Sequence, residues 1–166
     1  YELGQFSIPS DTACYPAKLM HGHIEELVER GAEAIFYPCL TYNINEKESD
    51  NYYNCPVVAY YSELLNGNLD SLSGVKFLYP YLNINNRREL ANGLYRYLVT
   101  FYPDIRREEV SRAVREGFAC YRAYMDSVRA EGERALAYAR ANGKRIMILA
   151  GRPYHADAEI GHGIDK

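Results

Sequence analysis

Apolar positions recur along this chain in two rhythms. Between Pro16 and Gly31, Leu19, Ile24, Leu27 and Val28 fall at roughly helical spacing. Proline suits the first helical position, where its missing N–H has no partner to lose, and glycine suits the stop. "AEAIFYPCL" then reads as a short buried strand ending near Tyr37, with Cys39 just past its carboxyl end. "TYNINEKESDNYYN" is polar and turn-rich, a surface loop. "CPVVAYY" is β-branched and aromatic and reads as the next strand, opened by Cys55, with Ser62 capping a short helix through Leu65. "NGNLDSLSG" is loop, "VKFLYPYL" a strand or extended segment, and "NNRRELANGLYRYLVTFY" a helix that ends before Pro103.

Asp104 is placed to cap a long helix, with Glu108 and Glu109 near its positive end. Val110, Val114, Phe118, Tyr121, Met125 and Val128 keep helical spacing, and Gly143 ends the run. "RIMILAG" is continuously apolar and reads as a buried strand, delivering the loop "RPYHADAEIGHGIDK". Strands alternating with helices imply a parallel α/β sheet. The expected organisation is an α/β lobe over 1–103, a bridging helix over 104–142, and the first strand and loop of a second lobe over 143–166.

The chain has 166 residues, 48% of them hydrophobic, enough to bury a core without disulfide staples. The formal charge of −3 is spread among interspersed acids and bases, with no basic stripe for a phosphate backbone, so nucleic acid is excluded as a first reading. No apolar run reaches the roughly 18 residues of a membrane span, and no secretory signal is visible. A cytoplasmic setting with reduced or metal-bound thiols is expected. The absence of a starting methionine reads as a segment of a longer polypeptide.

Four cysteines are the candidate chemistry. Cys14 precedes a helix, whose N-terminus favours a thiolate, and Cys39 lies at a strand's carboxyl end, where α/β sheets bind ligands. Cys55 opens the strand after the long loop. With 24 residues between Cys14 and Cys39 and 15 between Cys39 and Cys55, no close pair of the zinc-knuckle or ferredoxin kind exists, so spacing alone leaves buried thiols or metal ligands open. Cys120 falls inside the apolar pattern of the long helix and reads as packing. His21 and His23 point about 200° apart on a helix and cannot serve one ion together. Lys18, one turn beyond Cys14, is available to an anionic group. Arg152, with its planar fork, and His155, able to move a proton, follow the "RIMILAG" strand.

Three stretches, "IPSDTACYPAKLMHGHIEELVERGAEAIFYPC", "NCPVVAYYSELL" and "ILAGRPYHADAEIGHGIDK", resemble acyl-CoA dehydratase activase-related proteins, the CoA-substrate-specific enzyme activases. Their domain is similar to the subunits of 2-hydroxyacyl-CoA dehydratases, such as the 2-hydroxyglutaryl-CoA enzyme. The resemblance implies a Rossmann-like parallel-sheet lobe with flanking helices, plus the start of a second lobe. It implies an iron–sulfur cluster, 4Fe-4S or related, on Cys14, Cys39 and Cys55. A ligand from a later lobe is the alternative to Cys55.

The function implied is an iron–sulfur electron-transfer or reductase module of anaerobic metabolism. It would be served by an activator ATPase or dehydratase subunit, with acyl-CoA as a further ligand, and would be inactive as an isolated segment. No phosphate-binding G-x-x-x-x-G-K-[ST] loop occurs in the chain, so the ATPase is a partner rather than this segment. The alternative is a metal-free or zinc-stabilised scaffold that docks the same partners.

Overall fold

A computed structural model describes residues 1–164. The closing Asp165 and Lys166 of the third resembling stretch lie outside them. A 3-10 segment, Glu2–Ser7, leads into helix α1, Tyr15–Glu29, with proline in its first turn as expected. Gly31, at φ +78°, makes the left-handed turn out of α1 and into strand β1, Ala34–Phe36. Helix α2 spans Pro56–Asn68, strand β2 Lys76–Leu78 and helix α3 Arg87–Leu98. The Asn86 side chain caps α3 by accepting from the Arg88 and Glu89 N–H groups.

β1 and β2 pair in parallel, Ile35 opposite Phe77, with α2 in the crossover between them. The α/β class and the parallel pairing therefore hold, but the sheet stops at two strands, short of the Rossmann-like lobe expected. Its core joins Ala17 and Ile24 of α1, Ile35, Phe77, and Tyr61 and Leu65 of α2, with Leu69 and Leu72 below. The 3-10 segment sits hard against α1. A Cβ on Gly4 would fall 2.3 Å from the Gly22 nitrogen and 2.5 Å from the His21 carbonyl carbon, so only glycine fits.

The chain divides into two compact units, Tyr1–Arg115 and Glu116–Lys166, the boundary falling inside helix α4, Arg107–Ala141. Asp104 does not cap α4. The Arg106 N–H is instead satisfied by the Glu109 carboxylate at 2.9 Å, a side chain reaching back as in a capping box. In the second unit, Gly143 at φ +59° ends α4 as expected.

"RIMILAG" is not a strand. Residues 144–150 form no regular element, and Met147 is 90% exposed. Continuous apolarity states a demand for burial on both faces, but a strand exists only against a partner's backbone. Among the described residues the two strands that form are paired with each other. A 3-10 turn, Pro153–Ala156, and a single helical turn α5, Ala158–Gly161, follow.

Candidate functional site

"CPVVAYY" is a helix, and this correction relocates two residues. Pro56 occupies the first turn of α2, Cys55 becomes its N-cap, and Ala59, Tyr61, Ser62 and Leu65 form the buried stripe. The β-branched pair Val57–Val58 is outvoted by that stripe, and the helix kinks at Tyr60. Ser62 is therefore not a cap. It lies buried in mid-helix, 2.9 Å from the Cys39 sulfur, which is itself fully buried.

Topology gathers the cysteines at one edge. Cys39 continues the parallel ladder just past β1, donating its N–H to the Pro80 carbonyl at 2.9 Å. α2 follows β1, so its N-terminus and Cys55 belong to the carboxyl side of the sheet. α1 precedes β1, so its N-cap Cys14 belongs there too. Hydrogen bonds fasten the Cys55 segment beside Cys39, with the Leu40 N–H donating to the Val58 carbonyl and the Asn54 amide to the Leu40 carbonyl. Burial raises the Tyr37 phenol pKa, and Tyr61, Cys39 and Cys55 add to the shift. Burial also raises Tyr61, with Cys14 adding.

Cys14 and Cys55 are exposed, each as the N-cap of its helix. Thiols are the donor type an iron–sulfur centre takes. No group of three His, Cys, Asp or Glu side chains among the described residues is close enough to hold a metal ion. Lys18 is half-buried one turn into α1, its N–H bonded to the Cys14 carbonyl. Cys120 is exposed on α4, not packed, because Phe118 and Val110 lie on a different side of the helix from it.

Arg152 and His155 belong to the second unit. The His155 ring accepts the Arg152 backbone N–H at its Nδ1, 3.0 Å away, which leaves Nε2 as the protonated nitrogen. A Cβ on Gly151 would come within 2.4 Å of that Nδ1, so a larger residue there would have to displace the His155 ring. The Arg152 side chain is exposed and available.

A buried network escaped the sequence. His21 is fully buried, its Nδ1 2.8 Å from the Ser7 hydroxyl and its Nε2 3.0 Å from the Tyr61 hydroxyl. The Ser7 hydroxyl donates to the Gly4 carbonyl at 2.9 Å, so towards His21 it can only accept. Nδ1 therefore carries the proton, and Nε2 accepts from Tyr61. The available signal was spacing, since His21 sits on the Ala17–Ile24 stripe while His23 points outward and is exposed.

Burial holds the His21 imidazole below its usual range, partly opposed by Glu25. With the folded pKa depressed, the unfolded chain takes up the proton first. The stability tied to neutral His21 is intact above the ordinary value of 6.5 and is lost as pH falls through it towards the folded pKa. The slope is at most about 1.4 kcal/mol per pH unit. Urea titrations from about pH 7.5 down to 5 should show wild type losing more stability than His21→Gln. Parallel profiles would mean that His21 does not titrate in this window.

The fold defines a mixed α/β domain built on a two-strand parallel sheet. The chain belongs to the family of the CoA enzyme activase uncharacterised domain, whose model matches residues 1–166. No curated protein and no solved structure matches it. No helix among the described residues is long and apolar enough to cross a membrane.

Proposed function

We propose that this domain is an iron–sulfur electron-transfer module of a CoA enzyme activase, related to the 2-hydroxyacyl-CoA dehydratases. The observation that supports the reading is the placement of Cys14 and Cys55 as N-caps of α1 and α2 and of Cys39 just past β1, all on the carboxyl side of the sheet. These thiolates would hold the cluster, which when bound supplies one-electron transfer at low potential. Two of them sit at helix N-termini, whose partial positive charge stabilises the anionic sulfur. The Ser62 hydroxyl, beside Cys39, supplies a hydrogen bond that tunes that sulfur. Arg152 holds an anionic group of an acyl-CoA or partner, Lys18 adds a positive charge near Cys14, and His155 moves a proton. The partner is an activator ATPase or a dehydratase subunit in the cytoplasm.

Anaerobic reconstitution followed by iron and sulfide analysis tests this. Bound iron and sulfide should appear with visible charge-transfer absorbance. They should be lost in Cys14→Ser, Cys39→Ser and Cys55→Ser, and be retained in Cys120→Ala. Iron content indifferent to the three serine variants would sink the assignment. One observation favours a second reading, a metal-free or zinc-stabilised docking scaffold: no three donors are gathered among the described residues. Zinc without sulfide would decide for it.

A further inference from the structure

The first unit carries a cleft of about 680 Å³ at the carboxyl end of β2. One wall is β2 and its continuation, through Phe77, Tyr79 and Tyr81. The other is α3 and the turn after it, through Tyr97 and Phe101. The rings are already grouped, Phe77 with Tyr79 at 5.5 Å between centroids and Tyr97 with Phe101 at 5.3 Å. The Tyr79 N–H donates to the Tyr97 hydroxyl at 3.1 Å, which ties one wall to the other. Arg96, in the last turn of α3, stands exposed among the lining residues, and no carboxylate lines the cleft. Its guanidinium has no ion-pair partner among the described residues.

We propose that this cleft binds a nucleotide, the base against the aromatic walls and a phosphate on Arg96. The volume lies within the range of about 300–1,000 Å³ that small-ligand sites occupy. Aromatic side chains accept the π-face of a base, and a planar guanidinium fork accepts two phosphate oxygens at once. The place is also the one where open α/β sheets bind such ligands, beyond the carboxyl ends of the strands. A purely apolar ligand would leave Arg96 unused, and a bare anion would leave the tyrosine and Phe101 rings unused.

The cleft adjoins the cysteine edge, because Tyr81 lines it and bridges to Cys39 in the backbone ladder. The nucleotide site therefore deepens the electron-transfer reading by naming a ligand class next to the thiols. It rests on that reading only for its placement, since nucleotide binding is measured without iron.

Calorimetry on the full chain with adenosine monophosphate, adenosine, inorganic phosphate and CoA tests it. Adenosine monophosphate should bind, adenosine about tenfold more weakly, and phosphate alone not measurably. Arg96→Ala should reduce the monophosphate to the level of adenosine. Gly93→Leu should block both, and a side chain is tolerated there, the nearest atom to an added Cβ being Leu82 Cδ2 at 3.9 Å. CoA binding tighter than the monophosphate would place the source in CoA, and equal affinity in free nucleotide. Either result supports the nucleotide site. No binding at millimolar monophosphate, or binding unchanged by Arg96→Ala, would overturn it. Iron loss without nucleotide loss would remove the cluster reading and leave the cleft standing.

Discussion

Leu65→Ala is expected to lower the unfolding free energy by about 3–5 kcal/mol, near the top of the range for buried leucines. Leu65 is fully buried on the inner stripe of α2. It belongs to a core of eight buried residues drawn from both helices, both strands and the 3-10 turn after α2. A core that small has few side chains able to move in and fill the space. The lost methyl groups and the residual cavity therefore both count. Circular dichroism during urea unfolding measures the change. Leu65→Met, which keeps the volume, should cost less than about 1.5 kcal/mol. A cost below about 1 kcal/mol for the alanine variant would show that the two-strand sheet is not organised around this residue.

The same region shows which parts of the fold were legible in the sequence. α1, α3 and α4 announce themselves by apolar positions at helical spacing, and Pro16, Gly31 and Gly143 mark ends by the backbone chemistry those residues allow. β1 and β2 are short, but each is a compact apolar run next to turn residues. α2 was misread because Val57, Val58 and Tyr60 carry strand propensity, and propensity is overridden when a stripe such as Tyr61, Leu65 and Leu69 has a core to meet. "RIMILAG" failed the opposite way, since its pattern is correct for a strand whose partner the described residues do not supply.

The site divides similarly. Cys14 and Cys39 were placed by local rules, the start of a helix and the end of a strand. The contact between Cys39 and Ser62 depends on how α2 is seated on β1. No local pattern spans that 23-residue separation. The exposure of Cys120 likewise depends on what covers α4, which periodicity cannot report.

His21→Ala is expected to cost about 3–4 kcal/mol, a loss of ring packing plus an orphaned donor. The imidazole is fully buried between the 3-10 segment and α2, edge-on to Tyr61 at 5.7 Å between centroids. Its removal takes away the acceptor of the Tyr61 hydroxyl, which belongs to a residue 6% exposed. An unsatisfied buried donor costs about 1–3 kcal/mol beyond the cavity. It also frees the Ser7 oxygen, which held the 3-10 segment to α1. Tyr61→Phe alone should cost about 1–2 kcal/mol, because it strands the Nε2 acceptor instead. In the His21→Ala background, the same Tyr61→Phe change should cost little, since the phenol it removes has already lost its partner. A double-mutant cycle should therefore give a coupling of about 1–2 kcal/mol, well outside the few tenths by which independent sites depart from additivity. Additive costs would mean that the His21–Tyr61 hydrogen bond contributes nothing net to stability.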